Sequence, residues 1–217
     1  MTAAACRLPK YGLQPGLALD ITVDDETGQP YDFSVKTQRI KAEALLDEQQ
    51  PMLLIGSPMC TAFSAIQAIN NIPGKRDLWC CYLYRKQIAR GAYFLHGHPN
   101  GTTSWMEPSV LGVLGLQGVQ RTRADQCMHG QESETGNPIK KPTGFMSNSP
   151  HLLDALNKRC FGRRGLCSRP SGGVHQNCFG KVARRAAVFS DIMCEMILSG
   201  FAAQPTAHRR THENEIS

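Results

Sequence analysis

No apolar run in this sequence approaches the roughly 18–20 residues that a membrane-spanning helix needs, so no spanning helix is expected. The N-terminus, Met1-Thr-Ala-Ala-Ala-Cys-Arg7, lacks the apolar core of a secretory signal. CxxC steps are also missing. The nine cysteines are odd in number and none is spaced in that way, which argues against a disulfide framework and for free thiols in a reducing, intracellular compartment. Most telling is the lack of acid toward one end. Between Ala155 and Ser190 there is no Asp or Glu but there are eight Lys and Arg.

That gap accounts for the net charge of +6. Residues 1–154 balance 14 basic against 14 acidic side chains, whereas residues 155–217 hold 10 against 4. A one-ended excess of this kind suits a polyanionic partner, although a solvated basic face would read the same. With 41% hydrophobic and 19% charged residues, the chain is globular rather than disordered. Its 217 residues suit one domain with a small appendage.

Pro9, Gly12, Pro15 and Gly16 mark residues 1–16 as an irregular lead-in. Leu17–Val23 reads as a short strand. Lys36–Gln50 reads as a helix with Ile40, Ala44 and Leu45 on its inner face, stopped by Pro51. Met52-Leu-Leu-Ile-Gly56 is a continuous apolar run, as in a strand covered on both faces. Further helices are expected at 62–70, 78–89, 108–116 and 150–157, and strands at 92–96, around Val119 and at 144–147. Residues 158–180 have no helical or strand period. Val182–Leu198 follows the i, i+3/i+4 pattern of one amphipathic helix ended by Gly200, and the tail from Pro205 is polar. Alternating strands and helices predict an α/β sheet with crossover helices, whose chemistry lies at the strand ends. The core is then 17–157, with 158–204 a basic Cys-rich segment plus C-terminal helix of the same domain and 205–217 a flexible tail.

The first strand end reads Gly56-Ser57-Pro58-Met-Cys60-Thr-Ala-Phe-Ser64. A cysteine in a Pro-containing turn before a helix N-terminus has the setting of a nucleophile; a small residue capping the strand would look the same. Ser57–Ser64 resembles the Pro-Pro-Cys-x-x-Phe-Ser loop of cytosine-5 DNA methyltransferases. The chain is similar to a group of methyltransferase-like sequences from protists and algae, some linked to mobile elements. Ala18-Leu-Asp-Ile21, Tyr31-Asp-Phe-Ser34, Phe94-Leu-His-Gly-His-Pro99, Asp125-Gln-Cys-Met-His-Gly130 and Lys141-Pro-Thr-Gly-Phe-Met-Ser-Asn148 carry the likeness. It spans most of residues 17–200.

The resemblance implies a Rossmann-like, class I methyltransferase-type, mostly parallel sheet, incomplete at its N-terminal side. It implies S-adenosylmethionine as cofactor and DNA as partner, with RNA the alternative, and a nuclear location if the target is DNA. Cys60 would attack carbon 6 of a flipped-out cytosine. Ser57, Pro58, Ser64, His96, His98, Lys140 and Lys141 would line the target site, and Asp20 and Asp32 the cofactor site. Two features depart from the pattern. Gly97 stands where the second strand end should carry a glutamate, and no aromatic-Gly-x-Gly loop precedes Asp20. Gln120-Arg-Thr-Arg123 is one residue out of step with the family's Gln-x-Arg-x-Arg and is set aside.

His96 and His98, two apart on a strand, face the same way and could chelate a metal, but no third ligand is near them in sequence. Cys160, Cys167, His175 and Cys178 could bind zinc, or be free thiols in a Gly-rich loop. No metal ligand is assigned from the sequence. Arg163, Arg164 and Arg169 are the expected phosphate contacts. With only Phe161 and Phe179 among them, base stacking is a weaker expectation. Three functions follow: a methyltransferase-like enzyme of weak or lost activity, a non-catalytic nucleic-acid-binding module derived from one, or a zinc-stabilised interaction protein.

Overall fold

The protein is described here by a computed structural model covering residues 1–58 and 79–205. The helix expected at 62–70, and the tail beyond Pro205, lie outside the described residues. The helices are α1 (Thr2–Arg7), α2 (Lys36–Gln49), α3 (Trp79–Ala89), α4 (Pro108–Leu114), α5 (Pro150–Leu156), α6 (Gly180–Arg185) and α7 (Asp191–Ala202). The strands are β1 (Leu53–Gly56), β2 (Tyr93–Pro99), β3 (Gln120–Asp125) and β4 (Pro142–Ser147). Among the described residues no helix is long and apolar enough to cross a membrane.

The four strands form one sheet in the order β1-β2-β4-β3. β1 and β2 are parallel, while β4 runs antiparallel to both β2 and β3. Three strands therefore point one way, with the reversed β4 between the second and third. The α/β class expected from the sequence holds; the sheet is mixed rather than mostly parallel, with one parallel pairing against two antiparallel ones.

The pleat sends alternate residues to opposite faces. Phe94 and Met146 pack with Tyr84 and Cys81 of α3, Val110 and Val113 of α4, and Trp105. Leu95, Ala124 and Phe145 pack on the other side with Leu152, Leu153 and Leu156 of α5 and Met193, Ile197 and Phe201 of α7. The sheet is thus the middle of three layers. Asn148 staples the sheet from within: its amide donates to the Ala92 carbonyl (2.9 Å) and accepts from the Phe94 N–H (3.0 Å).

Four expectations are corrected, each by a side chain claiming backbone groups or space. Leu17–Val23 is not a strand. Asp20 accepts from the Thr22 N–H (2.7 Å) and hydroxyl (2.5 Å), and the Val23 N–H closes on the Asp20 carbonyl, making a turn instead. The lead-in is not irregular throughout, because α1 packs Ala4 and Ala5 on Cys194 and Leu198 of α7. The inner face of α2 is Gln38, Ala42 and Leu46, with Ile40 56% exposed. Gln38 is drawn inward by the buried Asp25 carboxylate, to which its amide donates at 3.0 Å.

The single helix expected over 182–198 is two. Ser190 adopts an extended conformation and its hydroxyl accepts from the Met193 N–H, so it caps α7 and ends any continuation from α6. Gly200 does not terminate that helix but lies inside it, where α7 crosses α5. A Cβ there would sit 2.8 Å from the Ala155 Cβ and 3.0 Å from both the His151 carbonyl oxygen and the Leu152 Cα.

Backbone atoms cannot yield as a side-chain tip can. Gly200→Val is therefore expected to lower stability by roughly 1–3 kcal/mol, the usual cost of overpacking, read as a drop in the urea unfolding midpoint. Gly16→Ala, with nothing within 4 Å of the added carbon, should leave the midpoint where it is.

Candidate strand-end site and cysteine cluster

The parallel register pairs Gly56 with His96, so the chain leaves β1 through Ser57-Pro58 immediately beside Gly97-His98. A Cβ on Gly97 would lie 3.3 Å from the Ser57 hydroxyl oxygen and 3.0 Å from the Phe145 ring. A side chain at position 97 would thus aim at the β1 exit. Cys60 and Ser64 lie outside the described residues.

His98 is 2% exposed. Its Nδ1 pairs with the Ser104 hydroxyl (2.6 Å) and the Thr102 hydroxyl (3.0 Å), and the ring also bonds the Pro58 backbone. His98 therefore ties the β1 exit to the turn after β2. His96 is fully buried, with Nδ1 3.1 Å from the Tyr84 hydroxyl and its ring edge-on to Trp105. The two imidazoles do share a face, with centroids 5.8 Å apart. Burial lowers the His96 pKa to about 3, with the neighbouring His98 and Arg121 adding to it. Burial likewise lowers His98 to about 4, against the Pro58 bond that raises it.

The other expected site residues spend their polar groups locally. Asp20 caps the Thr22 turn, and Asp32 accepts from the Ser34 N–H at 2.8 Å. Lys140 donates to the Cys160 carbonyl (3.2 Å) and Lys141 to the Ala186 carbonyl (2.8 Å). Arg169 is held by the Glu132 carboxylate and the carbonyls of Gly172 (2.7 Å) and Gly136 (3.1 Å). Arg163 and Arg164 are exposed. They sit on a tight turn in which the Leu166 N–H bonds the Arg163 carbonyl and Arg164 and Gly165 take positive φ.

A second basic surface is not among the sequence expectations. Arg121, Arg123 and Arg159 line an open cavity of about 550 Å³ with Asn100, Thr122 and Asn157. The Arg121 guanidinium lies 3.8 Å from the Trp105 ring centroid. Gly144 makes room for that ring, since a Cβ there would meet it at 2.6 Å. The Arg-x-Arg spacing on β3 is the signal in the sequence that points to it, masked there by the offset of the glutamine before it.

Beside the β3 exit lies a cluster of Cys127, Cys160, Cys167 and His175, whose ligand atoms all fall within 4.8 Å of one another. Three of the four soft ligands expected in the basic segment are present. The fourth is Cys127, from the turn after β3, and Cys178 is not among them. The Cys160 sulfur is 3.8 Å from that of Cys167 and 3.5 Å from Nε2 of His175. Burial pushes the Cys160 thiol up, but N–H and hydroxyl donors from Ser168, with Gly162 and Cys167, outweigh it and bring the pKa down to about 6. Asp125, 1% exposed, accepts from the Cys160 N–H at 2.9 Å. Among the described residues no cysteine is in a disulfide.

Comparison with protein-family models, with curated proteins and with solved structures finds no match to this chain.

Burial lowers three histidines, His129 along with His96 and His98, and the last two make a pH prediction. Both are neutral in the fold, whereas an unfolded histidine titrates near 6.5. Below pH 6.5 the unfolded chain takes up protons that the folded chain refuses, so stability is full above that pH and is lost as pH falls. Between pH 6.5 and 5, above the carboxylate range, the unfolding free energy should fall by up to about 1.4 kcal/mol per pH unit for each histidine. Denaturant melts across that window check it. His98→Asn should remove part of the slope.

Proposed function

We propose that this protein is a DNA cytosine-5 methyltransferase-like protein, with Cys60 as its nucleophile and a nucleic-acid strand as its partner, RNA being the alternative to DNA. The observation that carries this reading is the parallel pairing of β1 with β2. It brings the exit toward the Cys60 loop against the Gly97-His98 strand end, as the chemistry of that family requires. The α/β class, with helices on both faces of the sheet, is compatible with a Rossmann-like fold.

S-adenosylmethionine would supply the methyl group in such a reaction. The described residues do not fit it: Asp20 and Asp32 cap their own turns, and no aromatic-Gly-x-Gly loop precedes Asp20. Activity on this reading is low, because Gly97 brings no acid to the cytosine ring. A missing charge-stabilising group in the transition state commonly costs about 3 kcal/mol.

A second reading, a non-catalytic nucleic-acid-binding module derived from such an enzyme, is favoured by the same Gly97 and by the Arg121, Arg123 and Arg159 cavity. It needs the basic surface and not the nucleophile.

The first reading is tested by covalent capture on a duplex containing 5-fluorocytosine, with calorimetric titration of S-adenosylmethionine alongside. Capture is expected to be slow, absent in Cys60→Ser, and faster by about 100-fold in Gly97→Glu, the size of one such interaction. No heat with the cofactor and no capture by either protein would leave the second reading. In both readings DNA affinity falls with salt, and Arg163→Ala with Arg164→Ala should reduce that salt slope by about 0.9 for each phosphate no longer neutralised. Their exposure leaves the melting temperature unchanged. Arg169→Ala, by freeing Glu132 and two carbonyls, should lower the melting temperature instead.

A further inference from the structure

We propose that Cys127, Cys160, Cys167 and His175 form a closed, four-coordinate structural zinc site that holds the basic segment 158–179 in place. The proposal is independent of any methyltransferase activity.

The geometry is the first argument. Zinc binds thiolates at about 2.3 Å and imidazole nitrogen at about 2.0–2.1 Å in a tetrahedron. Those bond lengths set ligand-to-ligand edges of about 3.8 Å between two sulfurs and about 3.5 Å between sulfur and nitrogen. The Cys160–Cys167 and Cys160–His175 separations are 3.8 Å and 3.5 Å. A disulfide would bring two sulfurs to about 2.05 Å, so the Cys160–Cys167 pair is spaced for a shared ion and not for a bond.

The second argument is what else could hold the segment. Of residues 158–179, the buried ones are Cys160 and Cys167 alone. Its larger apolar side chains all face solvent: Phe161 is 78% exposed, Leu166 55%, Val174 58% and Phe179 77%. It contains no helix or strand, only single bridges from Leu166 to Val174 and from Gln176 to Ile139. A segment of this length without an apolar core needs another constraint, and metal coordination is the usual one.

The surroundings fit an ion-bound thiolate. The Ser168 N–H and hydroxyl lie 3.5 and 3.6 Å from the Cys160 sulfur. Gly162 permits the tight path between the first two ligands of the segment, since a Cβ there would strike the Leu166 carbonyl oxygen. Asp125 fixes the Cys160 backbone from behind, the kind of outer support that orients metal ligands. Four protein ligands leave no open position, so the site is structural and not catalytic. Binding releases the protons that the thiols of Cys127, Cys160 and Cys167 still carry at the working pH, the ion taking their place on sulfur.

The test uses the full chain. Elemental analysis should find about one zinc per chain, and cobalt(II) exchanged into the protein should show the d–d bands of a tetrahedral site with thiolate-to-metal charge transfer of three-sulfur intensity. Cys127→Ser should lose the metal, and Cys178→Ser should keep it. Because Cys127→Ser could fail to fold, the wild-type cobalt spectrum is read by itself. Absence of metal together with no cobalt spectrum on titration overturns the proposal. Loss of metal in Cys178→Ser with retention in Cys127→Ser overturns the ligand set.

Discussion

β4 is the strand on which the other parts depend. It is hydrogen-bonded on both edges, to β2 and to β3, and Thr143–Ser147 are all buried. An interior strand has no freedom of register, because a one-residue slip would exchange Phe145 and Met146 between the two faces of the sheet. Its position fixes where β2 ends, and hence where Gly97 and His98 stand beside the β1 exit. It also fixes the return path through residues 126–141, which carries Cys127 to one side of the sheet. Gln126 bonds the Thr143 hydroxyl at 3.0 Å, and its N–H meets the Lys141 carbonyl. The strand-end site and the cysteine cluster are thus set by the same strand.

The interior of this sheet is unusually polar at one end, and burial there favours neutral imidazoles. His96 and His98 occupy positions where a continuous apolar strand would carry aliphatic side chains. Tyr84, Thr102 and Ser104 are placed to bond their Nδ1 atoms. Gly56 is part of that arrangement, because a Cβ there would collide with the Tyr84 hydroxyl. A charged ring at 96 would have to be desolvated beside Arg121 and His98, with no carboxylate bonded to it among the described residues. The polar ring stack therefore positions the strand end through hydrogen bonds to hydroxyl groups, which can pair with either tautomer.

The sheet members are readable in the sequence because Phe94-Leu95 and Phe145-Met146 are apolar where both faces are covered, and Leu53–Gly56 is apolar too, although it is only half-buried and ends the sheet rather than being covered on both faces. Strand direction is not readable. Nothing local to Pro142–Ser147 distinguishes a reversed strand from a parallel one; the direction comes from contacts made by a long loop. The broken C-terminal helix shows the same limit at smaller scale. Its apolar period runs through Ala186 and Phe189 as if unbroken, and one serine hydroxyl capping Met193 decides otherwise. For the cysteines, Cys160, Cys167 and His175 stand out through proximity in the chain. Cys127 does not, because what brings it to them is the β3–β4 pairing and not spacing.

The charge asymmetry takes its physical meaning from that cluster. Three thiolates and a neutral imidazole around a divalent ion carry one net negative charge. That charge would be costly in an apolar setting. On the proposed site it would sit beside the longest stretch of the chain free of carboxylates, with the Lys140 ammonium on the Cys160 carbonyl and the Asp125 carboxylate on the Cys160 N–H. Within the basic stretch, Arg169 is spent inside the fold on Glu132 and two carbonyls. Arg163 and Arg164 face outward on the turn between the first two ligands of the segment, as Lys181 and Arg184 do further along. A turn anchored at both ends by metal ligands would present two guanidinium groups at fixed spacing, with little ordering left to lose on meeting a phosphate. Rigidity at that turn, more than the number of positive charges around it, is what would make the segment a specific reader of a polyanion.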